Sequence, residues 1–315
     1  MRLNTPRAAL FGTIAVSALA LAGCSASTPA AEPDGISIVA STNVYGSIAE
    51  SIGGDLVTVT SIITSAAQDP HSFEASAQDQ LALSKADLVI ENGGGYDPFI
   101  DTLISASSSD APVVNASEAS GLLEADGEAT DDADHEGHDH IEGFNEHVWY
   151  SFHGVEHVAE AIAEQLTALD ADNASTYAAN LEAFTAQLAT LEASAEALHS
   201  STEGKGVAIT EPVPLYLLEA AGFTNRTPEE FSEAIEEGTD VAPAVLAQTL
   251  DLFDSGSVAL LAYNSQTASS ETEQVRAAAE DNGVAVVEFT ETMPDGADYV
   301  SWMTDNLSAI SAAVK

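Results

Sequence analysis

The sequence predicts an α/β protein of two lobes, each built on a parallel sheet, joined by a long connecting helix. Three observations predict it. Residues 36–122 alternate short β-rich runs with helix-spaced segments, and residues 206–314 repeat that alternation. Between the two stretches lies one unbroken apolar stripe of helical period.

In the first lobe, Ile36–Ser41, Leu56–Ile63, Asp87–Ile90 and Ala111–Val114 are the strand candidates, with helices near 45–53, 76–85 and 97–107. In the second, strands are expected at 206–210, 257–263 and 284–290, and helices near 213–221, 228–237, 242–254, 270–281 and 298–313. The stripe between them is Tyr177, Leu181, Phe184, Leu188, Leu191, Ala195 and Leu198, spaced 4-3-4-3-4-3. Asp172 and Asn173 offer an N-cap and Gly204 a stop. A helix over 173–201 is ~45 Å long at 1.5 Å per residue, enough to brace two lobes rather than sit within one.

The N-terminus adds an export signal. Arg2 and Arg7 precede an apolar run from Ala8 to Ala22, too short to span a bilayer and without a stop-transfer flank. Leu21-Ala22-Gly23-Cys24 resembles the bacterial lipobox. That resemblance implies cleavage before Cys24 and a lipid on its sulfur. Cys24 is the chain's single cysteine, so there is no internal disulfide and no thiolate metal ligand. The expected organisation is a signal peptide over 1–23 and a flexible tether over 24–35. An N-terminal lobe over 36–170, the connecting helix over 171–203 and a C-terminal lobe over 204–315 follow.

Removing residues 1–23 takes Arg2 and Arg7 from the seven basic residues and no acids, leaving five against 51, a formal charge of −46. So acidic a chain is unsuited to nucleic acid or anionic lipid, both of which need Lys and Arg. It is suited to attracting cations. The acids are interleaved with apolar periodic segments, which marks a folded chain rather than an acidic tail. One segment, 124–142, has no apolar period and reads as a loop within the first lobe. It carries His135, His138 and His140, three of the eight histidines, among acids, a pattern suited to weak metal binding.

Two motifs flank that loop. Asp69-Pro70-His71-Ser72-Phe73-Glu74 follows the second strand, and Asn145-Glu146-His147-Val148-Trp149-Tyr150 precedes a helix starting near Gly154. Asn92-Gly93-Gly94-Gly95-Tyr96-Asp97 lies between them. With the lipobox, the His-rich loop and the long helix, this ordered set resembles the zinc- and manganese-specific solute-binding lipoproteins of ATP-binding-cassette importers, over essentially the whole mature chain. The resemblance implies a metal held in the cleft between the lobes by His71, His147 and two ligands of the second lobe. The matching positions are Glu211, after the strand at 206–210, and Glu291, after the strand at 284–290. Glu291 departs from the family's commoner Asp. A carboxylate at 211, where many zinc binders have His, is more typical of manganese binders. The resemblance also implies an ABC permease as partner, a monomer lipid-anchored on the outer face of the cell membrane, and no catalysis.

The residues themselves point the same way. His71, Glu211 and Glu291 each lie just past the carboxyl end of a predicted strand, where ligands bind in open α/β sheets. Two neutral imidazoles and two carboxylates neutralise a divalent cation. Imidazole disfavours calcium and magnesium. Glu288 is the nearest rival to Glu291, but it lies inside the strand. His153 and His157, four apart at the start of a helix, are read as a rim residue and a solvent-facing residue. His199 suits the C-terminal dipole of the long helix. His-Glu-x-x-His, Gly-x-Ser-x-Gly and phosphate-loop motifs are absent from the sequence, which argues against a metalloenzyme. The histidines of the loop favour Zn2+ over the alternative, Mn2+, as cargo.

Overall fold

The computed structural model describes residues 35–123, 141 and 143–315. Cys24, with the signal and tether, and His135, His138 and His140 lie outside the described residues.

The first lobe runs β1 (Ile36–Thr42), α1 (Asn43–Gly53), β2 (Val57–Ile63), α2 (Ala77–Leu83), β3 (Leu88–Glu91), α3 (Pro98–Ser107), β4 (Val113–Asn115) and α4 (Ala116–Ala119). Two helices, α5 (Phe152–Leu169) and α6 (Ala174–Thr202), lead to the second lobe. That lobe runs β5 (Gly206–Ile209), α7 (Leu215–Ala220), β6 (Thr224–Asn225), α8 (Glu229–Glu236), α9 (Pro243–Asp254), β7 (Leu260–Asn264), α10 (Ser270–Asp281), β8 (Ala285–Phe289) and α11 (Tyr299–Ala313).

Both sheets are parallel and share one strand order, β2-β1-β3-β4 and β6-β5-β7-β8. In each, the first strand pairs with neighbours on both sides, so the connections diverge there and open a crevice beyond the strand ends. Parallel pairing also explains why β1, β3, β5 and β7 read as apolar runs rather than alternations: helices cover both faces.

Each expected strand and helix lies within a few residues of its place. The two-residue β6 is too short to carry a period and was not anticipated. The long helix α6 covers 29 residues and buries Tyr177, Phe184, Leu188, Leu191 and Ala195, while Leu181 and Leu198 are half-buried at the stripe's margin. It packs on α5, α1 and α11, so its core is continuous with both sheets. Each of its fully buried Leu and Phe side chains stabilises by ~1.5–3 kcal/mol. The anticipated cap differs. Ala171–Asn173 form a 3-10 turn, and the Asn173 side chain donates to Asp170 Oδ2 (2.7 Å) instead of accepting from the helix. Asp170 Oδ2 also accepts from the Tyr177 hydroxyl (3.1 Å), so the start is pinned from one turn inside.

Candidate metal centre

His71 sits in the connection after β2. Asp69 accepts from the His71 backbone N–H at Oδ1 (3.0 Å) and from Ser72 Oγ at Oδ2 (2.7 Å), an Asx turn that fixes the backbone carrying the imidazole. The ring meets Tyr96 edge-on, with centroids 5.0 Å apart.

His147 is 1% exposed. Asn145 sets its tautomer. Asn145 Nδ2 donates to Pro212 O (3.1 Å), so Oδ1 is the acceptor that faces both the His147 N–H (3.1 Å) and Nδ1 (2.8 Å). Nδ1 therefore carries the proton, and in the neutral ring Nε2 holds the lone pair a metal takes. The next residues form a 3-10 turn that buries Val148, Trp149 and Tyr150. Trp149 packs against His147, Tyr45 and Tyr96, with centroids 5.1, 6.4 and 4.9 Å away.

Tyr96 is placed by the Asn-Gly-Gly-Gly turn. Asp97 accepts from the backbone N–H groups of Asn92 (2.7 Å) and Gly93 (2.8 Å), closing a tight loop after β3. Gly93 and Gly94 have φ of 70° and 66°. A Cβ on Gly93 would stand 2.2 Å from the Asn115 side chain, so the position requires glycine on both counts.

In the second lobe Glu211 lies two residues past β5 and Glu291 two past β8, 3% and 5% exposed. Asn264, at the end of β7, donates from Nδ2 to Glu211 Oε2 and to Glu291 Oε1 (2.8 Å), so one amide ties the pair. Thr267 Oγ1 donates to Glu211 (2.6 Å), and Tyr96 reaches across from the first lobe to Glu291 Oε2 (3.4 Å). Gln266 Oε1 accepts from the N–H groups of Glu291 (2.7 Å) and Thr292 (3.1 Å) while its Nε2 donates to Ala66 O (3.3 Å) in the His71 loop.

Burial pushes the Glu211 carboxyl up to about 7, against the pull of Thr267 and Asn264. Burial, then the charge of Glu211, pushes Glu291 up to about 8. Such acids hold protons near neutrality unless a cation replaces them.

A further residue groups with the two histidines, and Glu211 and Glu291 lie outside that grouping. Glu236, the last residue of α8, brings Oε1 to 3.7 Å from His147 Nε2. Ligand atoms of His71, His147 and Glu236 all lie within 4.8 Å of one another. The sequence does not single out Glu236, which lies in an acidic helix beside Glu229, Glu230, Glu233 and Glu237. The one available signal was amphipathic phase: Glu236 lies four residues after the buried Ser232, on the face that α8 buries.

The other candidates lie elsewhere. Glu288 is exposed and pairs with Arg276 (3.2 Å) on the outer face of β8. His153 is exposed. His157 departs from expectation: it does not face solvent, because Nδ1 lies 3.1 Å from Ser120 O and the ring packs on His153 at 4.5 Å. That turns it toward α4, away from the cleft. His199 does lie in the last turn of α6.

A family model described as ZnuA, zinc-uptake complex component A periplasmic, matches residues 38–313. The manganese-binding lipoprotein MntA of Halalkalibacterium halodurans is 30% identical over 249 residues, covering 76% of this chain and 75% of its own. A zinc-bound ZnuA deletion mutant superposes with a TM-score of 0.70 at 24% identity, over 90% of this chain and 99% of its own. The binding protein FpvC of Pseudomonas aeruginosa with Mn2+ superposes with a TM-score of 0.69 at 25% identity, over 89% and 98%.

Proposed function

The chain belongs to the family of zinc-uptake complex component A, and on that premise we propose that it captures a divalent transition metal outside the cell and delivers it to an ABC permease. This is a family of substrate-binding proteins, not of enzymes. The observation that carries the reading is the grouping of two imidazoles from the first lobe with a carboxylate of the second, Glu236, which also feels the charges of the buried Glu211 and Glu291. His71, His147, Glu211 and Glu291 are the proposed ligands, and their two carboxylates neutralise the ion. Cys24 is the proposed lipid anchor. Cys24→Ser is expected to move the protein from the membrane to the soluble fraction, and unchanged detergent-dependent association would refute the anchor.

We read the cargo as zinc, on the imidazoles of the cleft and of the segment with His135, His138 and His140. Manganese is the second reading, favoured by the number of carboxylates around the cleft, which suit a harder ion, and by the name of the relative MntA. Zinc outcompetes manganese at most nitrogen-containing sites in vitro, so uptake in cells decides. A deletion strain should grow poorly in zinc-chelated medium and recover with micromolar zinc. Rescue by manganese alone would reverse the cargo, and rescue by neither would overturn the transport role.

A further inference from the structure

We propose that Glu236 is a direct ligand of the cargo ion, joining His71 and His147 in a three-donor platform that Glu211 and Glu291 complete. The inference rests on the reading of the cleft as a transition-metal site and adds a donor to it. Glu236 Oε1 is buried, accepts no hydrogen bond, and lies 3.7 Å from the ligating nitrogen of His147. Donors ~2 Å from a tetrahedral zinc stand ~3.3 Å apart. The observed grouping within 4.8 Å thus needs an inward movement of about 1 Å to close on an ion.

The position is a poor one for a carboxylate with no ion beside it. Glu236 ends α8, where the helix carbonyls repel an anion. The like charges of Glu146, Glu211, Glu291 and Glu233 also act on it. A divalent ion reverses each of these costs. Glu211 and Glu291, by contrast, already accept from Asn264, Thr267 and Tyr96. Glu236 is therefore the carboxylate with the most to gain from a metal.

A third carboxylate has a consequence for selectivity. It brings the protein charge at the ion to −3 and the donor count to five. Both suit manganese, which takes more and harder ligands, better than tetrahedral zinc. Glu236 thus widens the range of the site toward the harder ion.

The test compares Glu236→Gln with Glu237→Gln, the exposed neighbour on the same helix end. Each is titrated separately with MnCl2 and ZnSO4, and the manganese-loaded proteins are measured by X-ray absorption. The expected result for Glu236→Gln is a loss of at least tenfold in manganese affinity, a smaller loss for zinc, and an altered first shell. Glu237→Gln should match the wild type. Should Glu236→Gln fail to fold, Glu236→Asp, which keeps the charge but draws it back by one methylene, is expected to show the same preference. Equal losses for both metals with an unchanged first shell would overturn the inference while leaving the binding function intact. A wild type with no tight equivalent of either metal would overturn the function it rests on.

Discussion

Asn43 and Met293 exchange two hydrogen bonds across the lobes. Asn43 Nδ2 donates to Met293 O (2.8 Å), and the Met293 N–H donates to Asn43 Oδ1 (3.0 Å). Asn43 opens α1 at the end of β1, and Met293 lies two residues past Glu291, so the clasp ties the lobes beside the candidate site. Nearby, Tyr299 N donates to Ser47 Oγ (3.0 Å) and Tyr150 OH to Thr290 O (2.7 Å). Asn43→Ala removes both bonds of the clasp and strands two backbone groups, at a cost of about 1–3 kcal/mol. We expect a lower melting temperature and faster metal release by stopped-flow chelation. An unchanged release rate in a destabilised variant would confine the clasp to stability.

Glu291, the proposed fourth ligand, is set apart from its rival by burial. Glu291 is buried beside Tyr96 and Asn264, whereas Glu288 is exposed beside Arg276. Glu291→Ala is expected to weaken metal binding roughly 100-fold, about 2.8 kcal/mol. Glu288→Ala removes only a surface ion pair, worth ~0–1 kcal/mol, and should leave affinity unchanged. Competitive titration against a chromophoric chelator measures both, and wild-type affinity in Glu291→Ala would remove that residue from the site.

The contrast shows what the sequence could and could not supply. Local period and turn chemistry placed β1 to β4, the long helix and the strand ends that carry His71, Glu211 and Glu291, because parallel strands and amphipathic helices leave strong patterns. Glu236 was missed because its meaning is not local. An acid in a run of acids becomes exceptional only when β6, a strand of two residues, turns α8 into the crevice. Asn264 and Gln266 escaped notice for the same reason: their roles depend on which strand ends are neighbours, a property of the sheet order. His157 misled in the other direction, since its partner is the carbonyl of Ser120, 37 residues away.

The segment with His135, His138 and His140 is expected to collect metal without forming the transport site. Its histidines alternate with acids in a stretch without apolar period, a sequence pattern suited to weak metal binding. Deletion of residues 126–140 should remove weak equivalents in isothermal titration and retain one tight equivalent. Loss of the tight equivalent, with the circular dichroism spectrum unchanged, would place the loop in the site.

The metal-free protein is expected to be more stable at pH 5 than at pH 8. Glu211 is raised to about 7 and Glu291 to about 8, chiefly by burial, and Glu236 is pushed well up by burial and neighbouring acids. Burial also lifts Glu91 to about 7 and Asp97 to about 6. In the unfolded chain these groups ionise near 4. Between ~4 and ~8 the native state therefore binds more protons than the unfolded state, and stability falls as pH rises through that window. A bound divalent ion removes the penalty by taking the place of the protons, so metal should raise the melting temperature more at pH 8 than at pH 5.5. Protonation of the imidazoles in acid competes with the metal and weakens binding in the same direction. Scanning calorimetry of metal-free wild type and Glu291→Gln checks the origin of the slope. The variant, which lacks one of the raised carboxyls, should show the shallower decline from pH 5 to 8. A metal-free wild type whose melting temperature rises over that range would show that these acids are ionised before metal arrives.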